Sequence, residues 1–155
     1  MRFDECLTFI LDLEGPPSND PNDPGGETVY GVTRRDHPDL FRNGPPSLAV
    51  ARDLYLREYW LSAGCDKLPA PYDLIVFDGA INQGPVQSVM MLQKAMGLTT
   101  DGRIGPQTIA ACQTAAKDAP ALVLAIRAMR YARSMNFDRY GLGWMRRLFK
   151  VSLEI

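Results

Sequence analysis

Glu14 has the setting that most invites a chemical reading. It ends the stretch MRFDECLTFILDLE and is followed at once by Gly15, Pro16 and Pro17, then by a run rich in Asn, Asp, Pro and Gly. Asp20, Asp23, Glu27 and Thr28 all fall within that run. An acid at the border between an apolar helix and a polar loop, with further carboxylates and a hydroxyl able to return across it, matches what cleavage of a glycosidic bond requires. One carboxylic acid protonates the leaving oxygen, while other groups stabilise the oxocarbenium-like transition state and hold the attacking water. A partly apolar setting suits the first task because it keeps such an acid protonated. Asp23 or Thr28 could hold the water. On spacing alone plainer alternatives stand beside this one. Glu14 also reads as a solvated glutamate at a helix end, where the dipole does not favour it, and Asp20 and Asp23, each followed by proline, read as turn initiators.

A second group of polar residues lies later. Asp78 and Asn82 are four residues apart on an expected helix and so share a face, with Gln83 beside them. Their side chains could hydrogen-bond the N-acetyl and hydroxyl groups of a sugar. Equally, they could form a polar network that holds the turn at Gly84-Pro85. Tyr30, Tyr55, Tyr59 and Trp60 could offer an aromatic wall to sugar rings, although aromatics at helical spacing are more often core. Tyr30 is assigned to the cleft and Tyr55 to the interior.

The elements that must position these residues follow from periodicity. Phe3, Cys6, Leu7, Ile10 and Leu13 recur at steps of three and four, giving a helix over about residues 2–13 that the following glycine and prolines stop. The segment from Ser18 to Thr33 is turn-forming, with β-formers after Gly25 and Gly26, and predicts a small irregular hairpin. A loop of this length is usually functional. Ser47 is the expected N-cap of a second helix, with Leu48, Ala51, Leu54 and Tyr55 along its buried stripe and Tyr59 as a further candidate for it. Further helices are expected near residues 71–83, 85–96, 106–117, 119–135 and 142–152, with Gly97 to Gly105 as a turn-rich link and Pro106 at a first helical position. The expected architecture is mainly α with one small β element.

Composition bounds the function. The 155 residues carry a formal net charge of -1, which argues against a general polyanion binder. Acids dominate the first forty residues, whereas Arg127, Arg130, Arg133, Arg139, Arg146, Arg147 and Lys150 crowd the end. That basic end reads as a solvated helix face or as a surface toward an anionic envelope. Three cysteines, Cys6, Cys65 and Cys112, and a single histidine suggest neither a disulfide framework nor a metal centre, so no cofactor is expected. Cys6 and Cys112 read as core. The first residues lack the pattern of a secretory signal, and no run approaches the length of a membrane span. Synthesis in the cytoplasm is therefore expected, without stable membrane insertion.

The motifs also carry a resemblance. Glu14-Gly15, Asn19 to Gly26 and Thr28-Val29-Tyr30-Gly31-Val32-Thr33 resemble the opening motif of the glycoside hydrolase family 108 lysozymes, found among phage endolysins and related bacterial muramidases. The likeness continues through Tyr55, Tyr59-Trp60, Gly64-Cys65-Asp66, Leu68-Pro69 and Phe77 to Pro85. It ends with Leu92-Gln93, Gly97, Asp101-Gly102, Ile104-Gly105-Pro106 and Thr108, similar to the peptidoglycan-binding module that follows the catalytic motif in that family. Pro16 departs from the family, which usually has a second glycine there, and bears on the geometry of the loop. The resemblance implies a mainly α (α+β, lysozyme-like) fold, a helical bundle with a small hairpin near the N-terminus. It implies one lysozyme-like domain over 1–155, with residues 1–84 catalytic and 85–155 a helical peptidoglycan-binding-like portion packed on it. It makes Glu14 the general acid for hydrolysis of the β-1,4 bond between N-acetylmuramic acid and N-acetylglucosamine. A neighbouring family of phage-type lysozymes uses a Glu, Asp and Thr set at similar spacing, which extends the catalytic set to Asp23 and Thr28.

The partner so implied is bacterial peptidoglycan, met by a monomer that reaches the periplasmic cell wall after holin-type or other release. A phage or prophage endolysin is the expected setting, and a secretion-associated bacterial muramidase would look much the same. The competing reading is a peptidoglycan-binding module without turnover. A DNA-binding helical domain has little support, because no recognition-helix signature accompanies the arginines.

Overall fold

The computed structural model describes residues 2–15 and 26–155. Helix α1, Arg2–Glu14, buries Phe3, Cys6, Leu7 and Ile10. Each large apolar side chain removed from water in this way contributes roughly 1.5–3 kcal/mol. Two short antiparallel strands follow, β1 (Thr28–Val29) and β2 (Val32–Thr33), paired Thr28 to Thr33 and Val29 to Val32. A 3-10 turn over Pro38–Phe41 buries Phe41, and helix α2 runs Leu48–Leu54. The Ser47 hydroxyl caps α2 by accepting from the Val50 amide at 3.3 Å, satisfying one of the donors that a helix start leaves unpaired. Arg52 on α2 reaches back to α1: its Nε donates to Asp4 at 2.8 Å and its guanidinium lies over the Phe3 ring.

The described chain divides into two compact units, residues 1–58 and 59–155. A π-helical stretch, Tyr55–Leu61, carries the chain from the first to the second. On α2 the expected buried stripe holds at Ala51 and Tyr55 but not at Leu48, which is 48% exposed. Leu48 stands in the first helical turn, beyond the reach of the packed face.

The second unit is helical throughout. After a 3-10 turn at Cys65–Lys67 come α3 (Tyr72–Gln83), α4 (Pro85–Ala95), α5 (Pro106–Thr114), α6 (Ala119–Ala132) and α7 (Phe137–Glu154). Pro85 and Pro106 open α4 and α5, where a missing amide proton costs nothing. Helix α3 is the centre of this unit, buried without interruption from Tyr72 to Ala80. It packs edge-on to Trp60 through Phe77, with ring centroids 5.2 Å apart. Gly79 lets α4 approach, since a Cβ there would overlap the Ser88 hydroxyl, itself bonded to the Val76 carbonyl at 2.8 Å.

The link before α5 is tied by buried Gln93. Its amide donates to Asp101 at 2.6 Å and to the Arg103 carbonyl at 3.0 Å, while its oxygen accepts from the Gly102 amide at 2.9 Å. The bond from Gln93, followed by the Arg103 backbone N–H, holds the Asp101 carboxyl below its usual range. On α5, burial pushes the Cys112 thiol up to about 11, so it behaves as a small apolar core group. Cys6 and Cys65 are buried as well.

Helix α7 begins at Phe137, five residues before the expected 142. The helix therefore includes Gly141, which lies ahead of that expected start. In the structure Gly141 is the seat for the Phe137 ring, whose carbons would lie 2.8 Å from a Cβ at that position. Tertiary packing thereby outweighs the poor helix propensity of glycine. Tyr131 of α6 stacks on Trp144 of α7 at 4.8 Å, and burial pushes its phenol above the ordinary tyrosine range. Among the described residues no single helix is long and apolar enough to cross a membrane.

Candidate active site

Glu14 is the last residue of α1 and is half-buried. The chain leaves it through Gly15, whose φ of +78° is left-handed and whose amide returns to the Leu11 carbonyl at 3.3 Å. This is the usual glycine termination of a helix.

The hairpin of the same unit is joined by only two residues, Tyr30 and Gly31, with φ of 54° and 74°. Two consecutive positive φ angles form the tight turn whose twist matches that of the flanking strands. Tyrosine rarely adopts this conformation, because its Cβ crowds the backbone. Tyr30 is anchored there by its carbonyl oxygen, which accepts from the Tyr55 hydroxyl at 3.0 Å, and Tyr55 is only 2% exposed.

Gly31 is where the turn meets Glu14. A Cβ at Gly31 would overlap the Tyr55 hydroxyl and lie 2.8 Å from Glu14 Cγ and 3.2 Å from its Cδ. Only a residue without a side chain lets the backbone pass so close to the acid. Glu14, the Tyr30-Gly31 turn and the Tyr55 hydroxyl thus form one cluster, assembled from α1, the hairpin and the end of α2. Reading the sequence placed Tyr30 at a cleft and Tyr55 inside but missed that Gly31 and Tyr55 set the position of the acid. The available signal was Tyr-Gly between two pairs of β-formers, a two-residue turn that needs left-handed φ.

Thr28 is half-buried on β1, and its hydroxyl donates to the Gly26 carbonyl at 3.3 Å. The oxygen keeps lone pairs able to accept from water. The Glu27 carboxylate receives Arg34 at 2.5 Å, and Arg34 also lies over the Phe41 ring, so this pair braces the base of the hairpin. Asp20 and Asp23, together with Pro16, lie outside the described residues.

Asp78, Asn82 and Gln83 belong to the second unit. The expectation that Asp78 meets a sugar is corrected by its surroundings: it is 0% exposed, and both carboxylate oxygens accept from arginines. Arg127 Nη2 donates at 2.6 Å to one oxygen, and Arg147 Nε at 2.6 Å to the other. Arg127 is itself fully buried, and it also donates to the Gln83 side-chain oxygen at 3.1 Å and to the Ile75 carbonyl at 3.3 Å. Buried charges survive only when paired and hydrogen-bonded in this fashion. Asn82 is exposed and donates to the Asp78 carbonyl at 2.9 Å, leaving its own oxygen free to accept. Asp78 and Gln83 therefore hold α3 against α6 and α7, a longer-range network than one confined to the Gly84-Pro85 turn, while Asn82 remains at the surface.

Asn82 and Gln83 also edge a groove of about 920 Å³ within this unit, on the side formed by α4, α6 and the start of α7. Among the described residues no three His, Cys, Asp or Glu side chains gather closely enough to hold a metal ion.

Residues 7–84 match the family model described as glycosyl hydrolase 108, a span that includes Glu14, the hairpin and Tyr55. Residues 87–149 match the model described as a predicted peptidoglycan domain. The solved structure of Brucella abortus SagA is similar over 99% of this chain and 92% of its own, with 31% sequence identity and a TM-score of 0.81. No curated protein matches the chain.

Proposed function

The chain belongs to the glycosyl hydrolase 108 family, and on that premise we propose that it hydrolyses the β-1,4 bond between N-acetylmuramic acid and N-acetylglucosamine in peptidoglycan, with Glu14 as the general acid. The observation that carries this reading is the approach of Gly31 to the Glu14 side chain, 2.8 Å from a Cβ position to Cγ. A solvated helix-end glutamate needs no such clearance. A catalytic acid does, since proton transfer depends on holding the donor within hydrogen-bond reach of the leaving oxygen.

In the proposed step Glu14 gives its proton to the glycosidic oxygen as the bond from that oxygen to the anomeric carbon breaks. A water held by Asp23 and the Thr28 hydroxyl then adds to the anomeric carbon and passes its proton to the Asp23 carboxylate. Tyr30, at the turn beside the acid, lines the path of the sugar. These side chains and a water carry the hydrolysis, and the chain is proposed to act as a monomer. The proposed setting is wall degradation by a phage or prophage endolysin, which reaches the periplasm after holin-type or other release.

The test compares wild type with Glu14→Gln on purified peptidoglycan, following both new reducing ends and sedimentation with the insoluble wall. Glutamine keeps the shape and removes the titratable proton. The variant is expected to bind the wall and to release reducing ends about 100- to 10,000-fold more slowly, the usual contribution of a positioned acid. Equal cutting by both proteins would remove Glu14 from the chemistry. Binding by both without any release of ends would make the chain a peptidoglycan-binding module.

A further inference from the structure

The groove in the second unit has a charge pattern that the buried arginine cluster does not explain. Its rim carries Lys94 at the end of α4, and Arg130 and Arg133 at the end of α6, with no carboxylate among the lining residues. All three cations are exposed, and none is in an ion pair with another described residue. Met90, Met129, Ile126 and the Trp144 ring give the groove an apolar lining, to which Asn82 and Gln87 add amides. Methionine suits a surface that must follow the shape of a ligand, because it is unbranched and polarisable. Three cations over an apolar, amide-edged floor complement a short chain that bears carboxylates and small apolar groups.

We propose that this groove binds the acidic peptide stem of peptidoglycan, with Lys94, Arg130 and Arg133 meeting its carboxylates and the methionine floor its alanine methyl groups. The inference deepens the hydrolase reading and takes from it the identity of the polymer. A glycan strand stripped of peptide offers no charge to these cations beyond what its sugars carry. The stem offers several carboxylates in a short length, and charge-assisted hydrogen bonds to carboxylate are about twice as strong as neutral ones. The rim also gives part of the basic C-terminal run a specific role distinct from a diffuse electrostatic face.

The test is calorimetric titration of the full chain with an N-acetylated stem peptide of alanine, isoglutamate and diaminopimelate, free of sugar. A second peptide carries the isoglutamate carboxyl as its amide. Wild type and Glu14→Gln are expected to bind the acidic peptide alike, because the groove does its work without the catalytic acid. The combined variant Lys94→Ala, Arg130→Ala and Arg133→Ala is expected to bind at least about tenfold more weakly, and the amidated peptide should bind more weakly to wild type. A second combined variant, Arg139→Ala, Arg146→Ala and Lys150→Ala, removes the same charge from α7 outside the groove and should bind as wild type does. Absence of binding by wild type would overturn the proposal, as would equal weakening by the two charge variants, which would reduce the effect to net charge. Cleavage of peptide-free glycan by wild type is measured alongside. Cleavage without peptide binding is the failure of this inference alone, and peptide binding without cleavage of any glycan is the failure of the hydrolase reading.

Discussion

Glu14 and Asp78 are both acids on helices that end in glycine and proline, and they are built into their units in opposite ways. Asp78 is fully buried, and each carboxylate oxygen is taken by a guanidinium. Glu14 is half-buried at a helix end, where a two-residue turn containing glycine is brought against its side chain. Saturated partners and complete burial describe an acid that holds helices together. Partial exposure with a backbone fitted closely around the side chain describes an acid kept in position at a surface. Both are carboxylates on helices that are followed by Gly-Pro, so their surroundings and not this local pattern distinguish them.

The largest effect should come from breaking the buried partner. Asp78→Ala leaves Arg127 buried without its counter-charge, and removal of one member of such a pair typically costs about 3–5 kcal/mol. Chemical denaturation should record that loss, and thermal unfolding a fall on the order of 10 °C. Turnover per folded molecule should stay near wild type. Replacing the whole cluster by Asp78→Leu, Arg127→Met and Arg147→Met should recover much of the stability, because apolar packing removes the desolvation cost along with the charges. If Asp78→Ala instead stays fully stable and loses turnover, the contrast between the two acids collapses.

Gly31→Ala acts on the other side of the comparison. The added Cβ meets Glu14 and the Tyr55 hydroxyl, and a φ of 74° is unfavourable for alanine. Stability should fall by more than about 1 kcal/mol, as expected when native φ is incompatible with the new residue. Turnover should fall by about 100-fold at a temperature where the variant is folded, since misplacing a catalytic group by an ångström carries that cost. A loss in KM alone, with kcat intact, would mean that Gly31 shapes the entry of the sugar and not the position of the acid.

Much of the fold was legible because it is local. Apolar periodicity located α1, Pro106 at a first helical position located the start of α5, and α4 begins at the expected residue 85. The mainly α class with its small hairpin follows from these short-range signals and the lysozyme-like assignment from the family resemblance, and the likeness to the Brucella abortus structure agrees with both. Helix α7 was read too short because the seating of Phe137 on Gly141 is a packing event that propensity does not encode. The roles of Arg127 and Arg147 were hidden for a different reason. They meet Asp78 across 49 and 69 residues of chain, so a basic run that reads as one solvated face divides into a buried cluster and a groove rim. At the candidate site the place of Glu14 at a helix end was visible in the sequence. The closeness of Gly31 was not, because it depends on how the hairpin folds back onto α1.

The smallest effect is also the one that isolates the brace behind the turn. Tyr55→Phe removes only the hydroxyl that donates to the Tyr30 carbonyl, keeping the buried ring. A hydrogen bond of this kind contributes about 1 kcal/mol net, so denaturation should report a loss near that size. Tyr30 holds a left-handed φ that tyrosine disfavours, and without its anchor the turn can relax away from Glu14. Turnover should therefore fall through kcat with KM little changed, by less than in Gly31→Ala, because the glycine clearance itself is untouched. A merely structural hydroxyl would lower stability and leave kcat per folded molecule where it was. In that case the positioning of Glu14 rests on Gly31 alone, and the difference between the two acids reduces to one close approach of backbone to side chain.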